Sequence, residues 1–267
     1  MMNETNIIAK PREGLSLDDC VFYHTVELPG HGLIEGMWDL RANVDKYLGN
    51  VSLKNKRVLE VGTASGYLCF HMESQGADVI SFELAPEEVA DIVPYARSNH
   101  DERATQMQPW MEQIRNAYWL SHKVVGSKAK VVYGNAYAVP ETIGQVDVAV
   151  FGAILLHLRD PFRALESALR LTQETVIITE PLWEWRNLLR FSLMRGKYSG
   201  VATFSPQAKL AQPATTWWGF SPAIIQQFIS VLGFEEFKVS YHSQMFTQIK
   251  KKIPYFTVVG QRTVPLP

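Results

Sequence analysis

Val58-Leu59-Glu60-Val61-Gly62-Thr63-Ala64-Ser65-Gly66-Tyr67-Leu68 (VLEVGTASGYL, residues 58–68) sets a glycine-rich turn directly behind a short apolar run. Turns of this kind bring backbone N–H groups close to a ligand. A Walker loop needs Gly-Lys-Ser/Thr to reach phosphate and magnesium, and this turn has no such triplet. A dinucleotide fingerprint needs G-x-G-x-x-G/A, with a small last residue for tight helix packing. Counted from Gly62, the small residues fall at 62, 64 and 66, and the last fingerprint position is Tyr67. What remains is an acid, Glu60, followed by small residues at every second position from Gly62 to Gly66.

Working outward, strand-like runs recur at Arg57–Val61, Asp78–Leu84, Lys130–Gly134, Val146–Gly152 and Thr175–Thr179. They are almost continuously apolar, as strands covered on both faces should be. Two later runs, Glu236–Tyr241 and Tyr255–Gln261, flank a lysine-bearing turn and read as an antiparallel pair. The helices between them are well punctuated. Asp160-Pro161 and Ser221-Pro222 each place an N-cap before proline, and Gly76 and Gly233 stand where helices should stop. Repeated β-α-β order closed by a hairpin predicts an α/β fold, a seven-stranded, mostly parallel, doubly wound sheet.

Three segments exceed that repeat: an N-terminal extension (1–56), an insertion (85–129), and an aromatic cap (181–220). The rest of 57–267 forms the main domain. Within the extension, MWDLRANVDKYLGN (37–50) reads as an amphipathic helix. All three would lie at, or fold over, the carboxyl edge of the sheet, where open α/β sheets bind ligands.

Composition narrows the function classes. The 267 residues are 46% hydrophobic and 20% charged, enough for a substantial core, and the formal net charge is -1. That balance disfavours a nucleic-acid partner, and Lys250-Lys251-Lys252 reads as a solvated turn. Cys20 and Cys69 give neither metal spacing nor a disulfide framework. The first twenty residues hold no apolar leader core and no membrane-spanning run, so a cytoplasmic setting with no membrane is expected.

Glu60-Val61-Gly62-Thr63-Ala64-Ser65-Gly66 resembles motif I of the class I S-adenosylmethionine-dependent methyltransferases, with Ala64 in place of the middle glycine. The resemblance continues through VISFELAPE (79–87), GNAYAVP (134–140), and VDVAVFGAILLHLRDP (146–161). It implies S-adenosylmethionine as cofactor, and assigns each part of it. Glu60, Gly62, Thr63, Ala64 and Gly66 approach the amino-acid part, and Glu83 accepts the ribose hydroxyls with Leu84 beside the adenine. Asn135 and Ala136 read the adenine amino group, and the Phe151 and Gly152 carbonyls face the methionine. Apart from the resemblance, Trp38, Asp39 and Arg41 either close the methionine end, with Arg41 on the cofactor carboxylate, or form an ordinary helix start with Arg41 on the surface.

Three further stretches, FYHTVELPGHGLIEGMWDLR (22–41), LLHLRDPFRAL (155–165) and WWGFSPAIIQQFISVLGFEEFKV (217–239), are similar to the wobble-uridine tRNA carboxymethyltransferases and their small relatives. That class needs a cation for its extra carboxylate, whereas Asn43 stands near the expected place. The plain cofactor and a small-molecule acceptor, methylated at oxygen or nitrogen, are therefore expected, with the tRNA-modifying enzyme and a catalytically silent cofactor-binding regulator as alternatives.

The leaving sulfur is already activated, so positioning does much of the work, and a base is needed only where the acceptor keeps its proton. His157, just past the fourth long strand, is the first candidate, with His24 and His31 from the extension. Trp183, Trp185, Tyr198, Trp217 and Trp218 would wall the acceptor pocket, or else form a satellite core. No metal is expected, and the protein would be a monomer or homodimer.

Overall fold

The computed structural model describes residues 7–182 and 200–266. The chain begins with a hairpin, β1 (Val26–Leu28) and β2 (Gly32–Ile34), followed by a two-residue strand, β3 (Trp38–Asp39). The expected helix over 37–50 shrinks to one turn, α1 (Val44–Tyr47). Residues 38–39 are extended on the edge of the sheet, and the Asp39 carboxylate is spent on the Arg41 N–H and guanidinium.

Strands β4 (Arg57–Val61), β5 (Asp78–Leu84), β6 (Lys130–Gly134) and β7 (Val146–Gly152) occupy the expected spans. The later strands run longer: β8 is Thr172–Pro181, β11 Phe234–Phe246 and β12 Lys251–Arg262, while β9 (Ala202–Phe204) and β10 (Trp218–Phe220) pair separately. The main sheet has the order β3-β11-β12-β8-β7-β4-β5-β6. Its β8-β7-β4-β5-β6 part is parallel, and β12, β11 and β3 are added antiparallel. Eight strands replace the expected seven because Trp38 and Asp39 pair with Phe246 and Met245. The extension thus contributes to the sheet itself.

Helix α2 (Tyr67–Ser74) follows β4, and the insertion is mostly one 26-residue helix, α3 (His100–Val125). Helices α4 (Pro161–Leu169) and α5 (Pro222–Val231) start at the expected caps, Asp160 and Ser221, whose side chains accept the N–H groups of Arg163 and Ile224. Successive strand residues separate two cores. Val176 and Ile178 pack with Leu165 and Ile225 from α4 and α5, and Ile177 packs with Tyr47, Met72 and Trp119 from α1, α2 and α3. Each such side chain contributes about 1.5–3 kcal/mol of burial. No helix among the described residues is long and apolar enough to cross a membrane.

Candidate active site

The turn between β4 and α2 is shaped by its backbone. Gly62 and Gly66 have φ of 82° and 86°. A Cβ on Gly66 would sit 2.5 Å from the Phe70 ring and 2.7 Å from Tyr118, so only glycine fits. Ala64 takes φ 48° without that licence, and Ala153, just past β7, takes φ 53°. Left-handed alanine costs about 1–2 kcal/mol, which other contacts must offset. At Ala64 the contact is visible: its N–H donates to Glu83 Oε2 at 2.8 Å. Glu83 Oε1 accepts the Leu84 N–H at 2.9 Å. The acid closing β5 therefore fastens the glycine turn. Burial pushes its carboxyl above the usual range, countered by those N–H groups and by Arg115.

Glu60 is 1% exposed. Burial raises its pKa to about 7, against the lowering effect of the Thr63 and Ser81 hydroxyls, while Oε2 has no hydrogen-bond partner. Among the described residues only four buried side-chain N or O atoms lack a partner: Glu60 Oε2, His24 Nδ1, Glu180 Oε2 and Ser121 Oγ. The first three gather around the carboxyl edge. Leaving such a group unsatisfied costs on the order of 1–3 kcal/mol, so the grouping calls for a ligand.

His24 reaches this edge because the Tyr23 and His24 N–H groups both donate to Ser65 Oγ at 3.2 Å. The extension thus docks directly on the glycine turn. His24 is 8% exposed, and burial lowers its pKa to about 3, keeping the ring neutral. His31 does not join it. It lies exposed at the tip of the β1–β2 hairpin, whose Leu28 packs beside Ala117 and Leu120 of α3.

His157 lies in the turn after β7, and its Nδ1 is 2.8 Å from the Thr215 carbonyl. A carbonyl only accepts, so Nδ1 carries the proton and Nε2 the lone pair. Burial holds the ring's pKa below its usual value. Phe151 is fully buried under this turn, and Gly152 ends β7. Beyond β5, Leu84 is half-buried, and Asn135 precedes the turn holding Ala136. The Asn135 side chain is already engaged: Oδ1 accepts the Tyr137 N–H at 3.0 Å and Nδ2 donates to Glu88 at 2.5 Å.

Several expectations are corrected here. Arg41 makes a two-point ion pair with Asp39, at 2.9 and 2.8 Å, so its guanidinium already has a carboxylate. Trp38 is core, stacked on Phe246 and edge-on to Tyr255. Trp217 is buried with Val93 and Tyr95, and its Nε1 donates to the Asp91 carbonyl at 2.8 Å. Trp218 donates to the Arg159 carbonyl at 3.2 Å. Both rings thus belong to a satellite core that fastens the insertion to the turn after β7. Trp183, Trp185 and Tyr198 lie outside the described residues.

Glu180 belongs to none of the sequence motifs above. It closes apolar β8 as Glu83 closes β5, and that shared pattern was the available signal. It is 1% exposed, and Oε1 accepts the Leu155 N–H at 2.9 Å. Burial raises its pKa to about 8, against the lowering effect of the Leu155 and Leu156 N–H groups.

Comparisons with known proteins agree with this geometry. The family described as methyltransferase domain matches residues 38–237. Its first matched residue is Trp38 in β3. No curated protein matches the chain. Among solved structures, the N-terminal domain of EvdMO1 with SAH bound aligns at TM-score 0.57 and 17% identity, covering 92% of each chain. The same domain in the presence of SAH and D-fucose aligns at 0.52 and 16%, with 92% of each chain covered. A SAM-dependent methyltransferase from Methanosarcina mazei aligns at 0.51 and 16%, covering 80% of this chain and 95% of its own. The glycine turn, the mostly parallel sheet and the family match together make this chain a member of the methyltransferase-domain family, a class I S-adenosylmethionine-dependent methyltransferase.

Proposed function

We propose that the protein transfers a methyl group from S-adenosylmethionine to oxygen or nitrogen of a small-molecule acceptor. The observation that carries the small-molecule reading is that two segments are anchored over the carboxyl edge. From one side the Tyr23–His24 segment sits on Ser65; from the other, the Thr215–Trp217 segment is tied to His157 and to the Leu156 carbonyl, which accepts the Trp217 N–H at 2.8 Å. An edge flanked by two anchored segments suits a small acceptor better than a base held in a folded RNA, and the net charge of -1 offers no polyanion footing.

In this reading Glu60 Oε2 takes the ammonium of the cofactor's amino-acid part, which satisfies the orphaned oxygen. The Gly62–Gly66 backbone approaches that same part, and the Phe151 and Gly152 carbonyls face the methionine. Glu83 takes the ribose hydroxyls with the lone pairs its two N–H donors leave free. Leu84 lies beside the adenine, and Asn135 and Ala136 present the adenine-reading segment. The bound group supplies an electrophilic methyl on a sulfonium. The chain supplies position and, for a hydroxyl acceptor, the His157 Nε2 lone pair as base, with neutral His24 nearby as a second acceptor of hydrogen bonds.

Filter binding with total tRNA tests the acceptor class. The expected result is weak retention, with no label passing from methyl-labelled cofactor into tRNA. Tight, salt-sensitive retention with labelled tRNA would overturn the small-molecule reading.

A further inference from the structure

The two orphaned carboxyl oxygens at the edge call for different partners. Glu60 lies within β4 beside the glycine turn, where the cofactor's own ammonium accounts for it. Glu180 lies two strands away, and that ammonium cannot serve both. In the register of β7 with β8, Gly152 pairs with Thr179, so Glu180 stands one residue beyond the end of β7 on the neighbouring strand. That is the acceptor side of the methyl group if the Gly152 carbonyl faces the methionine.

The carboxyl is fixed there. The Leu155 N–H holds Oε1, and Oε2 has no partner. A buried carboxylate ordinarily has a cation against it, yet among the described residues no lysine, arginine or histidine pairs with Glu180. Tyr47 approaches the same strand end from the opposite face. Its hydroxyl lies 3.3 Å from where a Cβ on Gly152 would sit, and no hydrogen bond is found for it among the described residues. Burial first, and then the Glu180 charge, raise the Tyr47 phenol well above its usual pKa. Tyr47 therefore keeps a neutral hydroxyl at this strand end, on the face opposite the Glu180 carboxyl.

We infer that Glu180 is the acceptor-binding group of this methyltransferase and that its acceptor is an amine, held as an ammonium on Glu180 Oε2. This rests on the small-molecule reading above and selects nitrogen over oxygen within it. The proton balance favours the amine. A carboxyl with a pKa near 8 takes a proton from an alkylammonium at little cost, whereas an alcohol lies far beyond its reach. In the step, one N–H bond of the ammonium breaks and its proton goes to Oε2. The freed nitrogen lone pair forms the N–C bond to the methyl carbon as the C–S bond breaks. The electron pair stays on sulfur, which leaves as a neutral thioether, and the N-methylammonium product carries the positive charge. His157 takes no proton in this sequence and serves to position the Thr215 segment.

Two measurements test it on the full chain. In the first, ¹³C-glutamate NMR follows the S-adenosylhomocysteine complex, with the Glu180 resonance assigned by its loss in Glu180→Gln. Adding methylamine or benzylamine at neutral pH should move that resonance toward the ionised position, whereas methanol and benzyl alcohol should leave it in place. An equal response to the alcohols, or none to the amines, would overturn the inference. In the second, a small-molecule extract is incubated with deuteromethyl-labelled cofactor, and the labelled atom is located by mass spectrometry. Label on nitrogen is expected. Glu180→Gln, which keeps the Leu155 hydrogen bond, should lose more than about 100-fold in kcat/KM while holding S-adenosylhomocysteine within about twofold, and His157→Gln should lose far less. Label on oxygen, or a larger loss in His157→Gln, would sink the amine assignment alone. Label in tRNA would sink the small-molecule reading beneath it.

Discussion

The two edges of one parallel sheet are built to opposite rules. At the amino-terminal edge polar groups pair off: Asp147 accepts the Arg57 N–H at 2.7 Å, the Arg57 guanidinium donates to the carbonyls of Gln145 and Ile143, and Lys56 meets Glu174 at 2.5 Å. At the carboxyl edge two alanines sit in left-handed backbone, and three buried polar atoms lack partners. Both edges share the same strands and the same apolar interior. Of the four unmet buried polar atoms among the described residues, three gather at the carboxyl edge, as expected where a ligand completes the structure.

The sharpest way to break this contrast is to fill the turn. Gly66→Ala should cost roughly 3 kcal/mol or more of stability, because it combines left-handed strain with a clash against Phe70 and Tyr118. Thermal unfolding and cofactor calorimetry should show the loss in both. Next comes Glu83→Ala, which removes the partner of the Ala64 N–H together with the ribose acceptor. Cofactor affinity should fall about 10- to 100-fold, as for two lost charge-assisted hydrogen bonds. Unchanged affinity would leave Glu83 a purely structural fastening.

A smaller effect follows from titration. Glu60 and Glu180 have folded pKa values of about 7 and about 8, above those of an unfolded glutamate. Such groups stabilise fully below the unfolded pKa, and that contribution is lost as pH rises through the folded one. His24 and His242, lowered to about 3 and about 4, act in the opposite sense, but only below the ordinary histidine pKa of about 6.5. From about pH 6.5 to 8 the carboxyls therefore act unopposed. Ligand-free protein should lose about 1–2 kcal/mol in denaturant titrations over that range. S-adenosylhomocysteine should flatten the slope by giving Glu60 its ammonium, and Glu60→Gln should remove that flattening. Smallest of all, Ala64→Gly should gain about 0.5–1 kcal/mol by relieving the turn, read as a higher midpoint with cofactor binding intact.

Much of this contrast was legible in the sequence, because it is written locally. Apolar runs without alternation marked the parallel strands, and Asp160-Pro161 and Ser221-Pro222 marked the helix starts to the residue. The spacing of Gly62, Ala64 and Gly66 with Tyr67 behind them identified the turn. Long-range pairing was not legible. Strand β3 has two residues, too few for any periodicity, and exists because β11 offers an edge. The aromatic crowd around Trp217 and Trp218 signalled packing without revealing partners. Their indole N–H groups go to Asp91 and Arg159, far away in sequence. Asp91 is also bound by the Tyr137 hydroxyl and the Arg159 N–H, a knot no motif announces. Glu180 stood in plain view as an acid ending an apolar strand. Its significance appears only when the turn after β7 folds onto one oxygen and leaves the other alone.

The most direct test of the two-edge contrast is calorimetry of S-adenosylhomocysteine binding at neutral pH, comparing wild type, Glu60→Gln and Glu83→Ala at the carboxyl edge with Asp147→Asn at the amino edge. One-site binding should weaken at least about tenfold in each carboxyl-edge variant, and Asp147→Asn should lose stability yet bind within about twofold of wild type. Absence of binding by the wild type, or an Asp147→Asn loss as large as that of Glu83→Ala, would contradict the division of the sheet into a structural edge and a cofactor-holding edge.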